Sequence, residues 1–320
     1  MFMKNKLAYS LLLIAALVSS HVCDLGANPF KKKKYKTERV IVLVVDGPRY
    51  AETWGDSTHR YIPHMANELS KSGVVCTKFY NDGYTYTTSG HTALCTGVKQ
   101  ELENRKGTQL PDNPSIFQYY LKKEKLPSSK AWVITSKDKL FILGNCNAPE
   151  WKDQYNPSTD CGINGPGSNY REDSITFQRV TSVLKNQQPN LLLVNFREPD
   201  YSGHANNWSN YLKGIKDTDS LVWEIWKFIQ TDPYYKNKTT LFVTNDHGRH
   251  DNGWKDGFVS HGDSCDGCRH INLFSYSPDF RKNVVLDEPY VQIDLPATIA
   301  ELLGFTMPEG KGKVMRKLFK

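Results

Sequence analysis

The chain has 320 residues, of which 39% are hydrophobic and 12% aromatic, so it can bury one substantial core. Its formal net charge of +7 would favour an anion or nucleic-acid binder, but residues 1–36 alone carry seven lysines and one aspartate. Their net charge of +6 leaves about +1 for the remaining chain. The basic character therefore belongs to a solvated tail, and no nucleic-acid partner is expected.

The first 23 residues have the pattern of a secretory signal peptide. Lys4 and Lys6 precede an apolar run over residues 7–18, which is followed by two serines. The run is too short for a membrane span, so we expect an exported protein, periplasmic or secreted, with no transmembrane segment in its mature chain. Lipid attachment at Cys23 is the weaker alternative, because the Ser-His-Val sequence before it makes a poor lipobox.

Residues 24–36 form the basic tail, and residues 37–320 are predicted to form a single domain in which strands and helices alternate. The predicted strands are residues 39–46, 74–80, 131–135, 191–196 and 241–244. The predicted helices are residues 63–72, 88–96, 115–123, 171–186, 211–230 and 294–303. This alternation predicts an α/β fold with a doubly wound, mostly parallel sheet and helices on both faces. Residues 146–169 show no periodicity and are predicted to form a long surface loop.

Three of the predicted strands end in acidic residues or in a pair of aspartate and histidine. The first strand ends at Asp46, the strand 191–196 leads into Glu-Pro-Asp-Tyr-Ser-Gly-His at 198–204, and the strand 241–244 leads into Asn-Asp-His-Gly at 245–248. His261 follows soon after. In open α/β sheets, functional sites lie at the carboxyl ends of the strands, so these side chains are predicted to share one site.

The stretch Thr-Tyr-Thr-Thr-Ser-Gly-His at 85–91 follows a strand and a turn at 81–83, and we expect a helix to begin near Thr88. A hydroxyl there lies at a helix N-terminus, where negative charge is favoured. The alternative is that Thr85, Thr87 and Thr88 only cap the helix, as threonines often do.

Five motifs in order resemble the alkaline phosphatase superfamily, which includes alkaline phosphatases, nucleotide pyrophosphatase/phosphodiesterases, sulfatases and phosphomutases. They are Val-Val-Asp-Gly at 44–47, Thr-x-Thr-x-x-Gly-His-x-x-x-x-Thr-Gly at 85–97, Glu-Pro-Asp-x-x-Gly-His at 198–204, Asp-His-Gly at 246–248 and His-Gly at 261–262. The resemblance runs from Val40 to about Leu303. It implies an alkaline-phosphatase-like catalytic domain with two divalent metal ions. A sulfatase is not expected, because residues 87–91 lack the Cys-x-Pro-x-Arg signature.

The resemblance also implies a role for each motif residue. One metal would be held by Asp200, His204 and His261, and the other by Asp46, Asp246, His247 and the hydroxyl of Thr87. Zinc is the preferred ion, although carboxylates and imidazoles also bind manganese or iron. Thr87 would be the nucleophile, because it stands four residues before His91 and ten before Gly97, and His91 would orient the site without binding metal. The adjacent Asp246 and His247 require a bend, which Gly248 would allow.

Three further residues are implied to bind the substrate. Asn104 corresponds to an asparagine that contacts the transferred phosphoryl group in several members. Lys137 and Lys139 resemble the Lys-x-Arg element of phosphate-irrepressible alkaline phosphatases, whose two cations hold the non-bridging oxygens of a monoester. Lys139 replaces the arginine and loses its bidentate fork. The alternative is that both lysines belong to a solvated loop.

These observations lead to three hypotheses about function. The favoured one is an exported phosphohydrolase that cleaves small-molecule phosphate monoesters through a phosphothreonine intermediate. A phosphodiesterase or nucleotide pyrophosphatase with the same site is the second. A catalytically silent metal-binding protein of the cell envelope is the third.

The cysteines suggest disulfides in an exported chain. Six follow Cys23, and the preferred pair is Cys146 with Cys161, which would close the loop between them. Cys265-Asp-Gly-Cys268 is compatible with a redox motif or half of a zinc site. A local disulfide between these two cysteines is favoured, because no thioredoxin-like strand and helix surround them.

Overall fold

A nine-stranded sheet forms the centre of the protein in the computed structural model, which describes residues 35–320. The predicted signal peptide and most of the basic tail lie outside the described residues. The strands are β1 Arg39–Asp46, β2 Val74–Tyr80, β3 Ala131–Thr135, β4 Ser158–Cys161, β5 Leu191–Pro199, β6 Thr239–Thr244, β7 His270–Tyr276, β8 Val284–Leu286 and β9 Tyr290–Val291. The helices are α1 Thr87–Thr96, α2 Ile116–Glu124, α3 Asp173–Asn186, α4 Asp200–His204, α5 Trp208–Thr231, α6 Asp266–Arg269 and α7 Asp294–Leu303.

The strand order confirms the predicted mostly parallel α/β sheet. The order is β4-β3-β5-β1-β6-β7-β2-β8, and β9 pairs with β2. β1 lies between β5 and β6 and is parallel to both. β7 is the exception, since it runs antiparallel to β6 and β2.

The sheet is covered on both faces because its strands are apolar on both faces. In β1, Val40, Val42 and Val44 belong to one hydrophobic cluster, and the alternate residues of the strand belong to the other. Helices α1, α2 and α7 contribute to the first cluster, and α3 and α5 to the second. Each fully buried valine, leucine or isoleucine contributes roughly 1.5–3 kcal/mol, so this double burial fixes the register of the central strands.

Most predicted elements agree with the structure to within a few residues. α7 spans the predicted residues, and α2 follows Ser115, whose backbone N–H donates to Gln118 Oε1 at 3.3 Å. The predicted helix at 63–72 is present, but it is not a regular α-helix: a π-helical turn at Met65–Leu69 is followed by a 3₁₀ turn. The Ser70 hydroxyl donates to the Ala66 carbonyl at 2.5 Å and competes with a regular helical ladder.

The segment 146–169 is not wholly irregular, contrary to the prediction. β4 lies within it and pairs in parallel with β3 at the edge of the sheet. β4 has only four residues and pairs with a neighbour on one side, so its sequence pattern is too short to be recognised. The remaining residues of the segment form turns, as predicted.

All six cysteines within residues 35–320 carry free thiols. The predicted Cys146–Cys161 and Cys265–Cys268 disulfides are therefore not formed in this structure. Cys161 ends β4 and directs its thiol to the Val133 carbonyl of β3 at 3.8 Å, so sheet pairing determines its direction.

Within residues 35–320, no helix combines the length and the apolar character needed to cross a membrane.

Candidate active site

The carboxyl ends of three neighbouring parallel strands bring the predicted metal ligands together. Asp46 ends β1, and Asp200 begins α4 directly after β5. Asp246 and His247 lie two and three residues beyond the end of β6. Because β5, β1 and β6 are adjacent and parallel, residues far apart in sequence meet at one edge of the sheet.

Helix α1 places its first residue, Thr87, against this edge. Tyr86 is the N-cap, so none of the three threonines caps the helix through its side chain. The approach is close, because a Cβ atom at Gly90 would lie 2.5 Å from the carbonyl oxygen of Asp246. His91 is buried one turn later, and its Nδ1 donates to the Thr87 carbonyl at 2.8 Å. This contact ties the His91 ring to the residue that begins the helix.

Asp200, His204 and His261 form the first ligand group. Asp200 Oδ1 lies 3.4 Å from His204 Nε2 and 3.5 Å from His261 Nε2, and the two imidazole nitrogens are 3.1 Å apart. Ligand atoms on a tetrahedral zinc ion are about 3.3 Å from one another. The three atoms are thus spaced as ligands of a single cation.

The second ligand group is completely buried. His247 Nε2 lies 3.3 Å from Asp246 Oδ2, 3.6 Å from Asp46 Oδ1 and 3.3 Å from Thr87 Oγ1. Asp246 Oδ2 has no hydrogen-bond partner. A buried carboxylate oxygen without a donor is costly unless a cation faces it, so this group also fits a metal ion.

The Nδ1 atoms of His247 and His261 fix the orientation of the two imidazole rings. His247 Nδ1 donates to the Gly248 carbonyl at 2.8 Å, and His261 Nδ1 donates to the Thr85 carbonyl at 2.7 Å. Burial lowers the pKa of both imidazoles, and of His204 as well, which favours their neutral form. In His247 and His261 the Nε2 lone pair therefore points inward, in the form that binds metal. These two rings stack with centroids 3.6 Å apart, so the two ligand groups are neighbours.

The carboxylates differ in their charge states. Burial and the nearby charge of Asp246 raise the pKa of Asp46 to about 7. Burial opposes ionisation of Asp200 too, but the cations of Lys137 and Arg249 hold its pKa well below the usual value. For Asp246, burial is outweighed by the two imidazoles of His247 and His91, and its pKa is lowered.

Lys137 lies between the ligand groups and not in open solvent. Its Nζ is 2.9 Å from Asp46 Oδ1, 2.6 Å from Asp200 Oδ2 and 3.3 Å from Thr87 Oγ1. Burial opposes its charge, but the carboxylates of Asp200 and Asp46 raise its pKa, so it remains an ammonium. The alternative of a solvated loop lysine is excluded for Lys137, which is 1% exposed.

Lys139 and Asn104 line the same cavity as Thr87, which has a volume of about 380 Å³. Lys139 Nζ donates to the Asn104 carbonyl at 2.8 Å and to its Oδ1 at 3.0 Å. Tyr170 also lines this cavity, and the sequence prediction had not included it.

All ten predicted site residues therefore meet in one region. They are Asp46, Thr87, Asn104, Lys137, Lys139, Asp200, His204, Asp246, His247 and His261.

Two further buried residues support this region and were missed by sequence reasoning. Arg249 is 0% exposed, pairs with Asp200, and donates to the Phe258 and Val259 carbonyls. Asn195, within β5, donates to Asp46 Oδ2 at 2.9 Å. The position of Arg249, two residues after His247, was the only available signal in the sequence.

Gly248 has a different role from the predicted bend. It is not among the glycines with positive φ. Instead, a Cβ atom there would lie 2.0 Å from the carbonyl oxygen of Gly267. Gly248 thus allows two backbone segments to approach closely.

Comparison with known proteins gives a family match and a set of similar folds. The family model described as "Type I phosphodiesterase / nucleotide pyrophosphatase" matches residues 109–271, just over half of the chain. A search among curated proteins found no match.

The similar solved structures share the fold at low sequence identity. A phosphonate monoester hydrolase from Silicibacter pomeroyi superposes with a TM-score of 0.65 and 14% identity, covering 88% of this chain and 76% of that one. Murine ectonucleotide pyrophosphatase/phosphodiesterase 5 superposes with a TM-score of 0.59 and 16% identity, covering 88% of this chain and 100% of that one. A protein of the alkaline phosphatase superfamily from Vibrio parahaemolyticus superposes with a TM-score of 0.63 and 15% identity, covering 89% of this chain and 71% of that one.

Proposed function

Because the chain belongs to the type I phosphodiesterase / nucleotide pyrophosphatase family and is a metal-dependent phosphoric ester hydrolase, we propose that it cleaves phosphate monoesters through a phosphothreonine at Thr87. The observation that supports this proposal best is the position of Thr87. Its hydroxyl lies at the start of a helix, beside two ligand groups and a buried ammonium, at the base of a cavity.

The two ligand groups are suited to two divalent ions, with zinc preferred because the ligands are carboxylates and imidazoles. A ligand atom of His247 also lies within 4.8 Å of ligand atoms of Asp200 and His261, so His247 adjoins both groups. Asp200, His204 and His261 would hold one ion, and Asp46, Asp246 and His247 the other. When bound, such ions lower the pKa of a coordinated hydroxyl or water and neutralise negative charge on the phosphoryl group.

The residues of the chain carry the remaining steps. Thr87 Oγ1 gives up its proton to solvent and attacks phosphorus, the bond to the ester oxygen breaks, and the leaving alcohol takes the electron pair and a proton from solvent. Water then attacks the phosphothreonine, releasing inorganic phosphate and restoring the Thr87 hydroxyl. The Lys137 ammonium, 3.3 Å from Oγ1, stabilises negative charge on that oxygen in both steps.

The preference for monoesters depends on Lys139 and Asn104. Lys137 donates to Asp200 Oδ2 and Thr87 Oγ1 and is ion-paired with Asp46, whereas the two hydrogen bonds of Lys139 both go to Asn104. One N–H of Lys139 thus remains to donate to a phosphoryl oxygen. A monoester dianion carries more charge on its non-bridging oxygens than a diester, so it gains more from this contact.

A phosphodiesterase or nucleotide pyrophosphatase is the second candidate, and the family description favours it. The murine relative in fold has also been solved in complex with AMP, which fits a small-molecule phosphate ester as the class of substrate. The catalytically silent alternative has no support, because the ligand groups and Thr87 are all in place.

Export is also part of the proposal, and it rests on the signal-like sequence of residues 1–23.

Substitution of Lys139 by methionine separates the two candidates. We expect kcat/KM for an aryl phosphate monoester to fall about 10- to 100-fold, because a charge-assisted contact of about 1.5–3 kcal/mol is lost. The loss on an aryl diester should be several-fold smaller. Lys137→Met is the matched comparison and should impair both substrates, since its ammonium contacts the nucleophile. Equal losses on both substrates in Lys139→Met would refute the monoester preference.

The pH dependence of kcat/KM should report the same lysine. Burial and the neighbouring Lys137 charge lower the pKa of Lys139 to about 8. Its charge is present below that pH and is lost as the pH rises through it, so monoester kcat/KM should fall above about pH 8. Lys139→Met should have a lower monoester kcat/KM below pH 8 and should not show this decrease above it. If kcat/KM of the variant still falls at alkaline pH as in the unaltered protein, another group is responsible for the decrease.

A further inference from the structure

A second cluster of metal-binding side chains lies outside the active site, between β6 and β7. His250, Asp263, Cys265 and Cys268, here called the Cys-His cluster, each contribute one ligand atom, and these atoms all lie within 4.8 Å of one another. None of the four belongs to either catalytic ligand group. Three of them come from the six consecutive residues 263–268, whereas His250 comes from the segment that follows the catalytic Asp246-His247 pair.

His250 is the most informative member of the cluster. It is 3% exposed, and its Nδ1 lies 2.7 Å from Asp256 Oδ1. Nδ1 therefore donates to the Asp256 carboxylate, and Nε2 is the ring nitrogen that faces the cluster. This Nε2 is buried without a hydrogen-bond partner and lies 3.3 Å from Asp263 Oδ2. A buried imidazole nitrogen that has no hydrogen-bond partner and lies beside a carboxylate is suited to binding a cation.

The two cysteines complete a zinc-type ligand set. They are spaced Cys-x-x-Cys on the first turn of α6, where Cys265 is the N-cap and Cys268 is buried. Two thiolates, an imidazole and a carboxylate form a four-ligand set of the kind that closes a structural zinc site. The contact of Asp256 with Nδ1 is the outer carboxylate commonly found behind a zinc-bound histidine.

Asp263 has further partners, which fix its orientation. Its Oδ2 is 2.6 Å from Lys255 Nζ and accepts from Trp254 Nε1 at 3.2 Å, and its Oδ1 accepts from the Cys265 N–H at 2.9 Å. Each carboxylate oxygen has two lone pairs, so Oδ2 is filled by its two donors, whereas Oδ1, with one donor, keeps capacity for a metal.

We propose that the Cys-His cluster binds one Zn²⁺ ion in a structural site separate from the catalytic pair. The ion joins the two ends of the loop that carries His261. On the far side of that loop, the Thr85 hydroxyl donates to the Asp263 carbonyl at 2.7 Å, and His261 Nδ1 donates to the Thr85 carbonyl. The four ligands are therefore positioning residues for His261.

Cobalt substitution tests this site by a readout that is independent of turnover. The catalytic ligand groups contain no cysteine, so thiolate-to-cobalt charge-transfer absorption in the near ultraviolet reports only the Cys-His cluster. We expect the full chain, prepared reduced and metal-free and then titrated with Co²⁺, to develop this absorption with a stoichiometry of one ion per chain. Absence of the band at saturating Co²⁺ would overturn the proposal.

Two variants and one control assign the band to its ligands. Cys268→Ser should abolish it, and His250→Gln should weaken Co²⁺ binding at this site at least tenfold. Cys146→Ser removes a cysteine outside the cluster and should leave the band intact. A band that persists in Cys268→Ser, or that disappears in Cys146→Ser, would contradict the assignment.

Thiol protection in the unaltered protein gives a test that does not depend on folding of a variant. In protein purified without reductant and loaded with Zn²⁺, we expect Cys265 and Cys268 to resist alkylation until a chelator is added, as read by peptide mass spectrometry. Recovery of these residues as a Cys265–Cys268 disulfide, or alkylation at the same rate with and without chelator, would overturn the proposal.

Discussion

Replacing Thr87 by alanine is expected to reduce turnover of phosphate esters by on the order of 10³-fold or more, because the nucleophilic oxygen is removed. Metal binding should persist, since Asp46, Asp246 and His247 of the second ligand group are unchanged. Initial rates on an aryl phosphate and the metal content of the purified variant are the two measurements. Thr87→Ser keeps a hydroxyl at the same position and should retain part of the activity.

A matched control is available on the same helix. Thr92 is also buried in α1, but its hydroxyl has no hydrogen-bond partner and lies outside the site. Thr92→Val should therefore keep nearly full activity. If Thr87→Ala retains normal turnover while its metal content is unchanged, another hydroxyl or a bound water is the nucleophile.

Replacing Arg249 by methionine should destabilise the metal-free protein by about 3 kcal/mol, because it leaves one oxygen of a buried carboxylate and two partly buried carbonyls without their donor. The partners left behind are Asp200 Oδ1 and the backbone oxygens of Phe258 and Val259. Denaturant unfolding of both proteins in the presence of a chelator measures the change from the shift of the midpoint at constant slope.

Arg60→Met makes the same arginine-to-methionine substitution on the protein surface and serves as the control. The Arg60 side chain is 68% exposed and lies 3.4 Å from Asp56 on the surface. Its loss should cost less than about 1 kcal/mol. A midpoint for Arg249→Met equal to that of Arg60→Met would show that the buried ion pair contributes little to folding.

The parts of the fold that were predictable have strong local signals. β1 is an uninterrupted apolar run because it is buried on both faces, and Asp46 at its end marks the site edge. β5 and β6 have the same pattern, so three strands and their following residues were enough to predict the ligand groups. The resemblance of motifs then selected Thr87 among its neighbouring threonines.

The parts that were not predictable depend on contacts made only after folding. β7 was missed, although it separates β6 from β2 and makes the sheet mixed. Its sequence, His-Ile-Asn-Leu-Phe-Ser-Tyr, alternates weakly, and Asn272 is buried because it bonds to Thr53. Likewise, nothing local distinguishes Lys137 from a surface lysine, since only the assembled carboxylates of Asp46 and Asp200 account for its burial.

The bridging ammonium of Lys137 has a consequence for the metal-free protein. Three acidic groups gathered at one sheet edge would repel one another in a newly folded chain that has not yet met its ions. A built-in counter-cation at 2.6 Å from Asp200 and 2.9 Å from Asp46 relieves that repulsion from within. The chain itself therefore supplies part of the positive charge that this site requires before any ion binds.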